Sequence, residues 1–408
     1  MASRECHVPH LSEISKAALA VAADAPVRLL LERFQESRSL LAVPVEQNGS
    51  FLGMVTRKPF YNLMSRPFAA ELYGKKPVSV LLTDLGCERI VMSPDEDINS
   101  ALAHLVTVDP SLETDAFPLV QDEHCTGVVA VSDLMMAVSE NQKQLVETLD
   151  RLGARIREEV SKASRIQQDL LPSPEWSFRG VEIGAGLITS SEIGGDFYDY
   201  FAIGEHKIGL VIGDVSGHGV QSGMVTTAAK ASLHTLIARG IATPAELLHG
   251  MNDAILATAR QTLLMTCFIG MLDLEEGVLS YANAGHNFPY LYRGSSHALE
   301  PLHDSTNFPL GFDKESEFRE CSVPFREGNT LLLYTDGIVE CVDRDDIEFG
   351  YERLERVLLE NVQLPPHLLR EALLDAATCF TGTKSFEDDV TLLIAAFRSD
   401  KSSHTGDH

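Results

Sequence analysis

The sequence predicts an α+β protein built from three consecutive parts, and three observations lead to this prediction. Residues 43–64 and 117–138 align with each other without a gap, at an offset of 74 residues. Residues 139–171 contain no proline, a single glycine and a helical apolar pattern. From Val181 onward, short apolar segments alternate with Gly and Asp, and helical stretches interrupt them. We therefore expect a repeated α/β module, a helical linker, and a C-terminal antiparallel β-sandwich flanked by helices.

The composition limits the classes of partner and compartment. With 408 residues, of which 44% are apolar, the chain is long enough for two or three domains. A formal net charge of −26 argues against nucleic acid or an anionic membrane as a partner, because both bind clustered Lys and Arg. The N-terminus lacks the basic and apolar regions of a signal peptide, and the seven cysteines form no C-x-x-C pair. We expect a cytoplasmic protein with reduced thiols.

Each copy of the N-terminal repeat has the pattern helix, strand, turn, strand, helix. Amphipathic segments at 27–34 and 98–105 predict the first helix of each copy. Over roughly residues 15–140, this pattern resembles a pair of CBS domains.

CBS domains carry a G-x-x-[ST]-x-x-[DN] signature that holds the phosphate and ribose of an adenine nucleotide. Here residues 53–59 keep the hydroxyl, as Thr56, and lack the acid. Residues 127–133 keep the acid, as Asp133, and lack the hydroxyl. The resemblance implies an adenine nucleotide as the candidate ligand, and a purely structural or dimerising module is the alternative.

The segment between the two halves predicts a long helix that pairs with a second copy of itself. Its apolar residues are spaced alternately four and three apart, as in a coiled coil. They are Leu145, Leu149, Leu152, Ile156, Ala163, Ile166 and Leu170. Glu159 is the only break in the series, and Pro172 and Pro174 end the helix. The alternative is a helix that packs on its own domain.

Two aspartates in the C-terminal part occupy mirrored positions around a predicted hairpin. The strands 197–203 and 207–213 flank the turn Gly204–His206, and paired residue numbers sum to 410. Asp196 and Asp214 also sum to 410, so they face each other at the open end, with Cα atoms about 5 Å apart. Carboxylates this close repel each other unless a cation lies between them. The hairpin therefore predicts a shared metal site.

A second pair of aspartates is expected at the rim of another sheet. Asp336 follows the strand 330–334 after one residue, and Asp388 precedes the strand 390–397. If these strands are antiparallel, the two residues share one edge of the sheet. Together with the first pair they form an all-oxygen set of donors, which suits Mg²⁺ and Mn²⁺.

Six ordered segments of the C-terminal half resemble the PPM-type Ser/Thr phosphatases, specifically the SpoIIE/RsbU branch. The resemblance covers about residues 165–397. The segments are IQQDLLP (166–172), GGDFYDYF (194–201), GDVSGHGV (213–220), NAGHNFPYLYR (283–293), LLLYTDGIVE (331–340) and EDDVTLLIAAF (387–397). Their order and spacing make the resemblance specific, whereas any one of them alone would carry little information.

This resemblance implies a phosphatase that hydrolyses phosphoserine or phosphothreonine on a protein, through a water activated by two Mn²⁺ or Mg²⁺ ions. Asp196 and Asp214 would bridge the ions, with the Val215 carbonyl as a further ligand. Asp336 and Asp388 would bind on either side. A STAS-type anti-sigma-factor antagonist is the implied substrate. The apolar series of residues 139–171, which leads directly into residues 166–172, favours a homodimer in which this helix transmits the state of the N-terminal module to the catalytic domain.

Several assignments remain open from sequence alone. Asp389 is adjacent to Asp388 and competes with it for the ligand position. His218 and His286 are the imidazoles near the motifs that could protonate the leaving group. A protein that keeps the fold and sequesters a signalling partner without hydrolysing it is the alternative function.

The predicted organisation has four segments. They are a tandem CBS-like regulatory module (1–138), a helical coiled-coil linker (139–172), a PPM/SpoIIE-type phosphatase domain (173–398) and a disordered tail (399–408).

Overall fold

The computed structural model describes residues 7–85, 90–217, 219–259, 261–305 and 307–398. His218 and the predicted tail at 399–408 lie outside these described residues. The chain divides into two compact units, Met1–Ala154 and Arg155–His408, and each is described by itself.

The N-terminal unit contains the repeated α/β arrangement. Its elements are α1 (Leu11–Ile14), β1 (Val21–Ala22), α2 (Arg28–Glu36), β2 (Ala42–Gln47), β3 (Ser50–Thr56), α3 (Arg57–Met64), α4 (Ala69–Tyr73), α5 (Val78–Leu85), α6 (Ile98–Val108), β4 (Ala116–Gln121), β5 (His124–Ala130) and the start of α7 (Val131–Asp169). β1, β2 and β3 form one sheet, and β4 pairs with β5 in another. Each copy has its own apolar core, which contains Phe34 and Phe60 in the first and Phe117 in the second.

The two copies share a backbone irregularity as well as a pattern. The antiparallel hairpin β2–β3 has a register shift between Val45 and Glu46. The hairpin β4–β5 has the same shift between Leu119 and Val120, which is 74 residues further along. The sequence repeat is therefore a structural repeat, including one β-bulge in each copy.

Helix α7 is 39 residues long and includes the helix predicted over 139–171. It begins at Val131, earlier than predicted, because the strand β5 leads straight into it. Five large apolar side chains of the predicted coiled-coil series are between 44% and 64% exposed. They are Leu145, Leu149, Leu152, Ile156 and Ile166. No helix in the described part of the chain, α7 included, is long and apolar enough to cross a membrane.

The C-terminal unit contains two antiparallel sheets and five further helices among its described residues. Its elements after α7 are β6 (Glu175–Phe178), β7 (Val181–Ile188), β8 (Phe197–Ile203), β9 (Lys207–Val215), α8 (Val220–Ala238), α9 (Pro244–Ala259), β10 (Met265–Asp273), β11 (Val278–Ala284), β12 (Tyr290–Arg293), β13 (Ala298–Pro301), β14 (Cys321–Pro324), β15 (Thr330–Tyr334), α10 (Gly337–Glu340), α11 (Gly350–Asn361), α12 (Pro366–Thr381) and β16 (Val390–Phe397). One sheet has the order β14-β11-β10-β9-β8 and the other β13-β12-β15-β16-β7-β6.

Side-chain alternation along these strands builds a four-layer sandwich. Inward-facing residues of both sheets, such as Tyr198, Leu210 and Leu393, share one core. The opposite face of the five-stranded sheet packs on α8 and α9 through residues such as Leu233 and Met251. The opposite face of the six-stranded sheet packs on α10, α11 and α12. The predicted α+β sandwich flanked by helices is confirmed.

Both strand pairings on which the sequence argument depended are present. Phe197 pairs with Gly213 and Ile203 with Lys207, so the hairpin numbers sum to 410 as predicted. β15 and β16 are antiparallel, with Tyr334 opposite Leu392. Of the four predicted aspartates, two therefore lie at the open end of the hairpin, Asp196 just before β8 and Asp214 near the end of β9. The other two lie at the rim of the second sheet, Asp336 after β15 and Asp388 before β16.

Candidate active site

Asp196 and Asp214 face each other at the open end of the β8–β9 hairpin. The last residue pair of the hairpin is Phe197 with Gly213. Asp196, just before Phe197, therefore lies opposite Asp214, just after Gly213. The two side chains interact, because the charge of Asp214 raises the pKa of Asp196 and a hydrogen bond with Asp196 lowers the pKa of Asp214 against the larger effect of burial. Asp196 is only 1% exposed, so the site brings two carboxylates together away from bulk water.

Burial and mutual repulsion raise the pKa values of this pair. Burial raises the pKa of Asp196 well above its ordinary value, and the charge of Asp214 raises it further. The pKa of Asp214 is raised to about 7, first by burial and then by the charges of Asp336 and Asp388. Near neutral pH the pair therefore retains a proton unless positive charge displaces it.

Asp336 and Asp388 lie on the adjacent rim of the six-stranded sheet. Asp336 follows β15 and precedes α10, and its pKa is raised by burial and then by the charge of Asp388. Asp388 is exposed and lies just before β16. Because the charges of both reach Asp214, all four predicted aspartates contribute to one electrostatic site.

Asp389, the neighbour of Asp388, has a different environment. It is 3% exposed, and its two oxygens accept four hydrogen bonds. Ser190 donates to Oδ1 from its backbone N at 2.7 Å and its Oγ at 3.0 Å, and the backbone N of Gly195 donates to Oδ2 at 2.7 Å and that of Asp196 at 3.4 Å. Asp389 therefore holds the loop that presents Asp196, whereas Asp388 keeps its carboxylate accessible.

Two threonine hydroxyls orient Asp196. Thr335 donates to Asp196 Oδ2 at 2.8 Å, and Thr391 donates to the same oxygen at 2.6 Å. These hydrogen bonds lower the pKa of Asp196, against the larger effect of burial. Thr335 directly follows β15 and Thr391 lies in β16, so the two central strands of the six-stranded sheet fix the carboxylate. The sequence did not predict these contacts with Asp196, although each threonine lies within three residues of a predicted aspartate.

The C-terminal turn of α7 is hydrogen-bonded to the loop that precedes Asp196. Gln167 Nε2 donates to the Gly194 carbonyl at 2.8 Å, and the Gly194 N–H donates back to Gln167 Oε1 at 3.2 Å. On the other side, Thr226 of α8 donates to the Gly195 carbonyl at 2.7 Å. The loop before Asp196 is therefore held by α7, by α8 and by Asp389.

Two glycines make this close packing possible. A Cβ on Gly194 would lie 2.6 Å from Asp389 Oδ2, and one on Gly195 would lie 2.6 Å from the Val215 carbonyl oxygen. Both distances are shorter than real Cβ contacts. The Val215 carbonyl, a predicted ligand, therefore lies directly beside the loop.

His286 is unsuited to donate a proton near neutral pH. Its ring is buried, its Nδ1 is 2.8 Å from Thr266 Oγ1, and burial lowers its pKa to about 4. The Nε2 atom is buried without a close hydrogen-bond partner among the described residues. His218, the other candidate, lies outside the described residues.

The donor chemistry fits hard divalent cations. The available groups are carboxylates and one backbone carbonyl, and no Lys or Arg is among the principal causes of their pKa shifts. In the described ranges no three acidic, histidine or cysteine side chains converge into a complete ligand set for one ion. The charges of Asp336 and Asp388 nevertheless both act on Asp214.

Comparison with known families assigns both halves of the chain. Residues 204–398 match the family Stage II sporulation protein E (SpoIIE), and residues 11–58 match the CBS domain. The C-terminal domain, called the SpoIIE-type domain below, is therefore similar to that family over slightly less than half of the chain. The match includes Asp214, Asp336 and Asp388, whereas Asp196 lies before its first residue. The N-terminal CBS assignment confirms the first copy of the repeat.

Relatives of the SpoIIE-type domain carry names of the same class. The chain is 31% identical over 191 residues to phosphoserine phosphatase RsbP of Bacillus subtilis (strain 168), covering 45% of this chain and 46% of RsbP. It is 24% identical over 206 residues to phosphoserine phosphatase RsbU of the same organism, covering 50% of this chain and 59% of RsbU. The chain thus spans about half the length of these relatives.

A solved structure shows the fold of the SpoIIE-type domain. The SiaA-PP2C domain of Pseudomonas aeruginosa superposes with a TM-score of 0.52 and 23% identity. The superposition covers 61% of this chain and 99% of that domain. The domain therefore has the PP2C fold predicted from its motifs.

Proposed function

We propose that this protein is a metal-dependent phosphatase that hydrolyses phosphoserine or phosphothreonine on a partner protein. The observation that carries the proposal is the rim of four aspartates, with pKa values raised by burial and mutual repulsion at Asp196, Asp214 and Asp336. Such a site is unfavourable without cations and is suited to hold them. The names of RsbP and RsbU support the reaction class.

Two Mn²⁺ or Mg²⁺ ions would be held by Asp196, Asp214, Asp336, Asp388 and the Val215 carbonyl. When bound, such ions supply a nucleophilic water at neutral pH and neutralise charge on the phosphoryl group. The chain's own contribution is positional, since the hydroxyls of the two threonines and the backbone contacts of Asp389 fix the direction of Asp196. His286 stays neutral and orients Thr266, the cross-strand neighbour of Asp214.

The activity is tested with purified protein and Mn²⁺ on an aryl phosphate and on a phosphoserine protein. Wild type should release phosphate, and Asp214→Asn should reduce turnover by about a thousandfold or more, because a carboxylate that would hold the ions is lost. Asp253→Asn, at an exposed aspartate on α9, is the matched control and should retain full activity. If wild type and Asp214→Asn are equally inactive while a partner remains bound, the protein sequesters its partner instead.

The proposed substrate is a phosphorylated STAS-type anti-sigma-factor antagonist acting in the cytoplasm. The support is the resemblance to the SpoIIE/RsbU branch, and the five described cysteines, which are all free thiols, suit a reducing compartment. Dephosphorylation of a purified phospho-STAS protein, followed on a phosphate-affinity gel, tests this choice. Turnover no faster than that of an unrelated phosphoserine protein would contradict it.

Regulation is proposed to begin in the N-terminal unit and to pass through a homodimer. A cavity of about 680 Å³ there is lined in part by Gly53 and Thr56 of the first signature, and by Asp109 and Asp115. Thr56 supports an adenine nucleotide as the candidate ligand. Calorimetric titration with AMP, ADP and ATP, repeated on Thr56→Val, tests it, and equal heats for both proteins would remove this assignment.

A further inference from the structure

The loop between β13 and β14 carries an exposed aromatic pair beside the candidate active site. The rings of Phe308 and Phe312 are stacked, with centroids 4.7 Å apart and an interplanar angle of 12°. Phe308 is 63% exposed and Phe312 49% exposed. Large apolar surface left in water is unfavourable, and exposed aromatic residues are typical of binding hot spots.

The aromatic pair is anchored to the catalytic rim. Leu310, which lies between the two phenylalanines, exchanges two backbone hydrogen bonds with Met265, at 2.8 and 3.0 Å. The next residue, Thr266, is the cross-strand partner of Asp214. The exposed rings therefore flank Leu310, which is hydrogen-bonded to Met265. Met265 is one residue away from the cross-strand partner of Asp214.

A buried asparagine keeps this part of the loop in one conformation. The Gly311 N–H donates to Asn252 Oδ1 at 2.8 Å, and Asn252 Nδ2 donates to the Asp313 carbonyl at 2.9 Å. Gly311 has a φ of +85°, a backbone conformation that side-chain-bearing residues rarely adopt. A preorganised surface loses less conformational entropy when a partner binds.

The aromatic pair borders an acidic cavity of about 480 Å³. Three of the seven lining residues are acidic, namely Asp313, Glu315 and Glu317. None of the three has an ion-pair partner within the described ranges. The Ser316 hydroxyl also lines the cavity, and its oxygen is shielded from solvent without a hydrogen-bond partner among described residues.

We propose that this acidic aromatic surface, defined by Phe308, Phe312, Asp313, Glu315 and Glu317, docks the phosphoprotein substrate through an apolar side chain flanked by Lys or Arg. The inference rests on the proposed phosphatase function and adds its substrate preference. Stacked rings provide the apolar contact. The three carboxylates, which have no ion-pair partner among the described residues, favour basic neighbours. Against these three acids, Lys314 is the single basic residue in the segment 307–317.

Two phosphoserine peptides and one small substrate test the proposal on the full-length protein with Mn²⁺. The peptides carry Lys-Leu-Lys or Glu-Leu-Glu on both sides of the phosphoserine, and the small substrate is an aryl phosphate. Wild type should show a kcat/KM about tenfold higher for the lysine peptide, and this preference should shrink in about 0.5 M salt. Aryl phosphate turnover separates the two claims, because its absence in wild type would refute the phosphatase function itself.

Two double variants separate the apolar contribution from the charge contribution. Phe308→Ala with Phe312→Ala should raise KM for the lysine peptide at least about fivefold and leave its kcat and aryl phosphate turnover unchanged. Glu315→Lys with Glu317→Lys should reverse the preference between the peptides.

The matched control is Glu360→Lys with Asp375→Lys, at exposed acids on α11 and α12, which should retain the wild-type preference. Thermal unfolding checks that each variant is folded. Undiminished discrimination between the peptides in both docking variants would overturn the proposal. So would sedimentation showing that the two phenylalanines drive self-association, because the occupant would then be a second copy of the chain.

Discussion

Asp388 and Asp389 are neighbours in the chain with opposite surroundings, and this decides their roles. Asp389 is buried and uses both oxygens to hold Ser190, Gly195 and Asp196. Asp388 is exposed beside Asp336. The motif register favoured Asp388 as the ligand, but it gave no role to Asp389, because the partners of Asp389 lie 193 to 199 residues away in the chain. The same distance concealed the hydrogen bond from Thr391 to Asp196.

The two substitutions should therefore separate chemistry from stability. Asp388→Asn should abolish most activity and leave the melting temperature nearly unchanged. Asp389→Asn can accept on one oxygen only, so it should lower the free energy of unfolding by about 2–4 kcal/mol as buried N–H groups lose their acceptor. Turnover and urea unfolding in Mn²⁺ measure both effects. The reverse pattern, with Asp389→Asn folded normally and Asp388→Asn unfolded, would show that the roles are exchanged.

The raised pKa of Asp214 makes a prediction about the protein in a chelator. The pKa is about 7 in the folded state against an ordinary 3.8, so the folded state holds this proton more tightly than the unfolded state. Its contribution to stability is present at low pH and is lost as pH rises through about 7. Asp214→Asn removes this dependence.

In EDTA, Asp214→Asn should therefore gain stability relative to wild type by roughly 2 kcal/mol between pH 5.5 and pH 8. Urea unfolding at the two pH values measures the gain. A difference between the two proteins that does not change with pH would contradict the repulsion between the aspartates.

At the scale of elements, sequence periodicity was sufficient where contacts are local. The sum of 410 between paired residue numbers predicted the register of β8 and β9, and apolar spacing predicted the long helix α7. The short edge strands β6, β13 and β14 were not predicted, because each has only four residues and four residues are too few to show a clear alternation of apolar and polar side chains. The contact between Gln167 and Gly194 could not be predicted from the sequence. The apolar pattern of α7 indicates a coiled coil, but it does not show which loop the last turn of the helix contacts.

The exposed apolar series of α7 predicts dimerisation. Leu152→Arg with Ile156→Arg should convert a dimer to a monomer, because two charges would have to enter the helix–helix seam. Light scattering coupled to size exclusion measures the mass. Glu147→Arg with Arg157→Glu, at exposed positions off the series, is the control and should remain dimeric. Wild type that already elutes as a monomer would refute the coiled coil.

For the whole molecule, the question is whether the N-terminal unit controls the catalytic rim. α7 is continuous from Val131 to Asp169, and Gln167 near its end contacts the loop that presents Asp196. The sequence predicts this helix, and the regulation is our proposal. Within the C-terminal unit, the contact of Gln167 with Gly194 links the last turn of α7 to the loop before Asp196 and supports that proposal. The ligand that would drive it depends on the cavity of the N-terminal unit, whose occupant no motif specifies completely.

Deletion of residues 1–138 should change either kcat or the Mn²⁺ concentration that gives half-maximal activity, by about threefold or more. The reason is that the N-terminal module can then no longer influence the conformation of the last turn of α7. Titration of Mn²⁺ on both proteins with an aryl phosphate measures both quantities. Equal curves would remove the regulatory role and leave the catalytic proposal intact.

The crowding around Gly194 and Gly195 has a consequence for comparing sequences across the family. Even the smallest side chain at either position would collide with Asp389 or with the Val215 carbonyl. A homologue that keeps all four aspartates but has alanine at either glycine would thus have lost the geometry of the site. Its acidic residues alone would not reveal this loss. The two glycines are a stricter sequence marker of a working enzyme than the carboxylates they accompany.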